Sequence, residues 1–282
     1  MSRAPARALV GALALALVSA CSLVLDTGEL TKDFAATAAP DGGNVGLDGG
    51  SRVGPSSYRD AVLSDGPVAY FRLGETEAPA KSLVGGFSAT ATGTPTFGVA
   101  GAIAGDADFA FGPAGKGGLT AGNILDFTGT QPFSSEAWVS LTVIDDAYRF
   151  VFSKTVFVGG QREAYGLYVV RTDEGDRLVF ERWTSGQRRM VSAPAPALDG
   201  YHHVATVYDG TALALFIDGV VAGTVPDDRS AAAKPIPFTI GTPPTPDVEL
   251  QPLLGSIDEL AIYDKPLRAE RIAAHRNLGL GR

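Results

Sequence analysis

Residues 204–225 read VATVYDGTALALFIDGVVAGTV. Three short runs rich in Val, Thr, Leu, Phe and Ile are divided by Asp209-Gly210 and Asp218-Gly219. β-branched and aromatic residues favour extended chain. An Asp-Gly pair between two such runs supplies the left-handed residues that a tight hairpin turn requires. The stretch therefore predicts three consecutive antiparallel strands, Val204–Tyr208, Ala212–Ile217 and Val220–Val225. Working outward, the same grammar of short apolar runs broken by Gly, Pro and Asp recurs. It predicts strands at Val68–Leu73, Ala107–Phe111, Phe133–Val143, Arg149–Lys154, Tyr165–Arg171, Arg177–Thr184, Phe238–Ile240 and Ser256–Tyr263. So many strands without helical periodicity predict an all-β chain, built as a two-sheet antiparallel sandwich. The exception is Pro266–Asn277, where Leu267, Ile272 and Ala273 fall near helical spacing. A short C-terminal helix is expected there, with Pro266 in its first turn and Gly279 as its stop. No fixed-period repeat is evident, which argues against a propeller or solenoid.

The 282 residues are 45% apolar and carry 23 Lys+Arg against 31 Asp+Glu, a formal charge of −8. The acidic balance argues against a nucleic-acid partner, which selects a basic excess. One Cys and three His exclude a disulfide framework and a Cys- or His-rich metal site.

The N-terminus reads as an address. Arg3 and Arg7 precede thirteen apolar or small residues, Ala8–Ala20, and then Cys21. A positive start followed by a short apolar run describes a secretory signal, and the run is too short to span a hydrocarbon core about 30 Å thick. Val18-Ser19-Ala20-Cys21 resembles the bacterial lipobox. That resemblance implies removal of residues 1–20, lipidation of Cys21 and anchoring in a bacterial cell envelope. Ser22, in place of the Asp that tends to retain lipoproteins at the inner membrane, leans the expectation toward the outer membrane. Residues 21–57 are rich in Gly, Ala, Asp and Ser without apolar periodicity, as expected of a flexible tether. Residues 58–282 are left as one domain.

Four stretches resemble the laminin-G-like, concanavalin-A-like jelly roll of bacterial surface proteins. They are Tyr58–Leu63 through Pro67–Glu75, Phe133–Val139, Tyr201–Gly219, and Gly255–Tyr263 with Leu267 and Ile272 after it. Tyr201 and Phe71 stand where the family usually has Trp. The resemblance implies a jelly-roll sandwich that binds a carbohydrate or a protein in adhesion or recognition. Rival readings are a glycoside hydrolase or polysaccharide lyase on the same fold, and a structural envelope component without a small ligand.

No catalytic constellation accompanies it. A glycosidase needs two facing carboxylates, and the adjacent Asp258 and Glu259 are expected on opposite faces of a strand. For the same reason His202 and His203 cannot share an ion, and the expectation is one packed and one solvated. A carboxylate bordering an apolar face needs donors or a cation. The family often carries a structural calcium, which suits hard oxygen ligands, and its last-strand Asp is a frequent participant. Asp258, with Glu75 or another acid as partner, is thus the candidate Ca²⁺ site, the competing expectation being a structural hydrogen-bond role for the carboxylate. In residues 162–189, Arg162, Arg171, Arg177, Arg182, Arg188 and Arg189 interleave with Tyr165, Tyr168 and Trp183, a pattern that suits a groove for an acidic polysaccharide with aromatics stacking on sugars; Trp183, Tyr168 and Arg182 are the candidate ligand-binding side chains. The competing expectation is a long exposed hairpin whose Arg residues pair with Glu163, Asp173, Glu174, Asp176 and Glu181. Trp138 is expected in the core.

Overall fold

The computed structural model describes residues 57–158, 161–245 and 248–282. Residues 1–56, on which the expected leader, Cys21 and nearly all of the expected tether fall, lie outside the described residues. Elements are numbered in chain order.

Two sheets face each other. The first runs β15 (Val220–Pro226), β14 (Ala212–Ile217), β13 (Tyr201–Tyr208), β7 (Phe133–Leu141), β18 (Gly255–Tyr263), β5 (Phe109–Gly112), β4 (Thr96–Ala100), with β1 (Ala69–Phe71) also on β18. The second runs β12 (Gln187–Pro194), β11 (Gly175–Thr184), β10 (Gln161–Thr172), β8 (Tyr148–Ser153), β16 (Thr239–Ile240), β6 (Gly117–Thr120), β3 (Ser88–Gly93), β2 (Ala80–Lys81). To it are added β17 (Leu250–Pro252) on β8 and β9 (Val156–Val158) on β10. The β17–β8 pair is parallel and the other pairs are antiparallel. The expected all-β two-sheet sandwich, with a short C-terminal helix, is the observed one.

The opening stretch folds as β13–β14–β15, with Val204 opposite Ile217 and Ile217 opposite Val220. Asp218 takes φ 50° and Gly219 φ 77°, the two left-handed positions that a tight Asp-Gly turn demands. Strand alternation then sorts the faces. Ala137, Val139, Val204, Leu215 and Ile262 of the first sheet meet Val151, Leu167, Leu178, Phe180 and Ile240 of the second in the main core.

The outer face of the first sheet is covered as well. Helices α1 (Tyr58–Ser64) and α2 (Ala269–Gly279) lie over Trp138, Ala205, Phe216 and Tyr263, contributing Tyr58, Val62 and Ile272 to a second apolar layer. Helix α1 was not foreseen; seven residues are too few for a periodic pattern to show. Ser57 caps it, accepting the Asp60 amide at 3.1 Å. Helix α2 starts after Pro266 rather than on it. Gly279 is also not its stop: it is the last helical residue and abuts the Trp138 ring, while Gly281 takes the left-handed turn at φ 70°.

Two further expectations are corrected. The 162–189 region is not a free hairpin, because β12 flanks it and makes it the interior of a sheet. Strict alternation also fails in β18. A β-bulge lies between Asp258, opposite Trp138, and Ala261, opposite Glu136, and Glu259 sits in it at φ 55°. One extra residue resets the pleat, so Ile257, Leu260 and Ile262 all face the main core. Asp258 and Glu259 both turn toward the outer layer instead of opposing each other.

Candidate functional site: a groove on the second sheet

The first sheet's outer face is buried under helices, so the second sheet's outer face is the one left open. Four strands build a groove of about 410 Å³ there, within the roughly 300–1,000 Å³ range of small-molecule sites. Tyr148 comes from β8, Tyr168 and Val170 from β10, Arg177 and Val179 from β11, and Arg188, Met190 and Ser192 from β12. The register aligns them, with Tyr168 opposite Val179 and Val179 opposite Ser192. The β10–β11 turn, with Asp173 and Glu174, closes one end together with Asp146.

Aromatic rings floor the groove. Tyr148 stands edge-on to Tyr168 at 5.2 Å and 78°, and Phe150 backs Tyr168 at 5.2 Å. Tyr168 is buried and its hydroxyl donates to Glu181 at 3.2 Å; the same hydroxyl accepts from Arg188. Glu181 is fully buried and takes the Arg188 Nε–H at 2.8 Å. Burial, with the Glu181 charge beside it, pushes the Tyr168 hydroxyl well above its usual range. Burial opposes the Arg188 charge, but Tyr168 and Glu181 outweigh it and hold the guanidinium up.

Of the three expected ligand-binding residues, only Tyr168 lines the groove. Trp183 shares its face, half-buried, with the Arg188 guanidinium 5.7 Å over its ring. Arg182 points the other way: it is 3% exposed, pairs with Asp227 at 2.9 Å, donates to the Gly129 and Arg229 carbonyls and lies 4.2 Å over Tyr208. Alternation along β11 puts it with inward-facing Phe180, opposite in sense to Glu181 and Trp183. Tyr148 and Met190 were missed. Strand β12 was not foreseen, and its Met190 has no meaning in isolation. The competing expectation of Arg pairing holds for Arg171–Asp176, Arg177–Glu174 and Arg188–Glu181.

The expected metal pair is not brought together around a common centre. Glu75 accepts the Lys81 amide at 2.8 Å, and Asp258 accepts the Ala102 amide at 2.7 Å. Burial, then the neighbouring Glu259 charge, pushes Asp258 up to about 8. The acids beside it already surround a cation: Arg72 contacts Asp106 at 2.7 Å, Asp108 at 3.0 Å and Glu259 at 2.7 Å. Calcium needs about six to eight oxygen ligands, and among the described residues no group of three or more acids, His or Cys is arranged to hold a metal. These residues do not fit the ion.

Under the helices lies a buried polar chain. Glu136 accepts from His203 Nε2 at 3.1 Å, from His275 Nδ1 at 2.9 Å and from the Tyr263 hydroxyl. His275 Nε2 reaches Asp65 at 3.1 Å, and Arg271 joins Asp65 at 2.8 Å. His203 is buried and the half-buried His202 is held by Asp199 and Asp218, as the strand spacing predicted. This buried polar chain ties both helices to the sheet.

With this geometry in hand, the comparisons decide the family. The concanavalin A-like lectin/glucanases superfamily matches residues 113–273. The chain belongs to that superfamily. No curated protein matches the sequence. Among solved structures, domain 4 of AbnA, an extracellular arabinanase from Geobacillus stearothermophilus solved with arabinotriose, is similar at TM-score 0.56 and 17% identity, covering 74% of this chain and 98% of that one. The binding domain of botulinum neurotoxin DC, solved with SialylT, is similar at TM-score 0.56 and 10% identity, covering 77% of this chain and 52% of that one. The binding domain of Paraclostridial Mosquitocidal Protein 1 is similar at TM-score 0.57 and 11% identity, covering 76% and 52%. The chain thus spans about half of each toxin binding domain. At such identities the likeness is one of fold. Among the described residues, no helix is long and apolar enough to cross a membrane.

Proposed function

We propose that this chain is a non-catalytic carbohydrate-binding module of the bacterial cell envelope, held by a lipid on Cys21 and displayed on the residue 21–57 tether. The observation that carries the reading is the aromatic-floored groove of Tyr148 and Tyr168, edged with guanidinium and carboxylate groups. Such a surface suits a sugar, whose apolar face packs on a ring while its hydroxyls need paired donors and acceptors. The arabinanase domain solved with arabinotriose and the neurotoxin domain solved with SialylT share the fold, and support the reading at that level. The carboxylates argue for binding over hydrolysis. Asp173 and Glu174 are exposed, and Glu181 is locked beneath Arg188, whereas a general acid needs a reachable carboxyl in a pocket that raises its pKa. Several acyl chains on Cys21, at about 0.8 kcal/mol per buried CH₂, would give firm anchoring. The test is a glycan array probed with the chain lacking residues 1–20 and carrying Cys21→Ser, with and without Tyr148→Ala. Binding lost in the variant supports the groove, and release of shortened sugars from a bound glycan would make the protein an enzyme. Metabolic labelling with a palmitate analogue tests the anchor, since Cys21→Ser must abolish the label.

A further inference from the structure

We infer that the groove selects neutral glycans and rejects acidic ones, a conclusion that rests on the groove being the glycan site. Its three guanidiniums look like an anion trap, but each is already neutralised. Arg171 holds Asp176 through two bonds at 2.8 and 3.2 Å, Arg177 holds Glu174 at 2.6 Å, and Arg188 holds Glu181 at 2.8 Å. Among the described residues, Asp146 and Asp173, exposed on the rim, form no ion pair within 4.0 Å, Asp146 reaching Arg171 only through the longer-range field. The lining and its partners therefore set five carboxylates against three guanidiniums.

A sugar carboxylate or sulfate entering here would face net like charge, which costs affinity and slows encounter. To win a guanidinium it would have to displace a resident acid. For Arg188 that strands Glu181, which is fully buried and already has Oε1 without a hydrogen-bond partner; an unpaired buried carboxylate is the costlier outcome. Neutral hydroxyls face no such exchange. They can accept from guanidinium N–H groups not spent on carboxylates, and donate to the free lone pairs of Asp173 or Glu174.

The experiment compares matched neutral and acidic oligosaccharides, the acidic set bearing uronate, sialate or sulfate, against the chain lacking residues 1–20 with Cys21→Ser. A second protein adds the surface pair Asp146→Asn and Asp173→Asn. The expected result is binding of neutral members with acidic ones at least about tenfold weaker, a gap that narrows in the double variant and in high salt. Acidic members binding as well as neutral ones overturns the inference while leaving the glycan reading intact. A gap unmoved by both the double variant and salt also overturns it. Binding to neither class overturns the glycan reading and this inference with it.

Discussion

The His275 ring and the Glu136 carboxylate meet at 2.9 Å across 139 residues of chain, both fully buried. Burial alone would raise the Glu136 pKa, but the His275 charge and the hydrogen bonds from His203 and His275 hold it well below the carboxylate range. Burial likewise opposes a charge on His275, yet Glu136 and Asp65 outweigh it and push the ring up to about 9. This raised His stabilises fully below its unfolded pKa of about 6.5 and loses that contribution as pH climbs toward 9. The depressed Glu136 and Asp65 contribute above their unfolded values, about 4, and lose it as pH falls. The melting temperature should therefore be highest between about pH 5 and 6.5 and decline toward pH 9.

In His275→Leu the alkaline decline should flatten, because the titrating group is gone. The loss of one partner of a buried pair, about 3–5 kcal/mol, should lower the melting temperature by roughly ten degrees near pH 6. Melts across pH for both proteins check this; a parallel alkaline decline in the variant would remove His275 as its source.

Asp258 adds to the alkaline decline, opposite in sense to the depressed Glu136 and Asp65. Its pKa is raised to about 8 by burial and by Glu259, so it is protonated when folded at neutral pH and ionised when unfolded. Stability from this group is full below about pH 4 and drains away as pH rises to 8. Asp258→Asn, which can still accept the Ala102 amide, should raise the melting temperature by a few degrees at pH 8 and change nothing at pH 4. The same reasoning gives no role to calcium: millimolar Ca²⁺ should not shift the melt. A calcium-dependent rise lost in Asp258→Asn would reverse both conclusions.

Much of this was legible in residue order. The Asp-Gly turns fixed the pairing of β13, β14 and β15, while alternation along Phe133–Leu141 and Tyr201–Tyr208 divides the inter-sheet core from the layer under the helices. The His202–His203 division followed from the same rule, and Trp138 is buried as expected, in the layer under the helices. What escaped did so for physical reasons. Strand β12 carries Gln187, Arg188 and Arg189, polar residues suited to a sheet edge, so no apolar run announced it. The bulge at Glu259 depends on a non-glycine residue adopting φ 55°, which no local signal marks. Without the bulge, Asp258 and Glu259 were assigned opposite faces. The local sequence around Glu136 gives no sign of its partners, because its network is assembled by Asp65 and His275 from distant segments. Arg182 was grouped with Trp183 and Tyr168 by composition, although one position along a strand reverses the face.

Arg182 and Tyr148 should separate stability from binding. Arg182→Met removes a buried pair with Asp227, and because Arg229 still contacts Asp227 at 2.6 Å the cost should fall near the low end, about 3 kcal/mol. Glycan affinity per folded molecule should not change. Tyr148→Ala should do the reverse, weakening binding at least about tenfold, or ~1.4 kcal/mol, with a smaller loss in the melt. Calorimetric titration alongside thermal melts reads both. An Arg182→Met protein that folds normally but fails to bind would put Arg182 back in the site.

Gly279→Ala sets two effects of known sign against each other. In a solvated helix the change favours folding by about 1 kcal/mol, because Ala is the better helix former. Here the new methyl would overlap the Trp138 ring. That ring is 1% exposed and wedged between Tyr58 at 6.2 Å and His203 at 5.2 Å, so it has nowhere to go. Overpacking of this kind costs about 1–3 kcal/mol, and the helix must lift or the ring must shift, straining the Glu136–His275 contact one turn away. The net effect should be destabilising. Trp138→Phe, which clears space beneath the helix, should recover part of the Gly279→Ala loss in the double variant even though it is harmful alone. Thermal melts of the two single variants and the double variant measure this coupling. A Gly279→Ala protein more stable than the parent would mean that α2 does not rest on Trp138 as described.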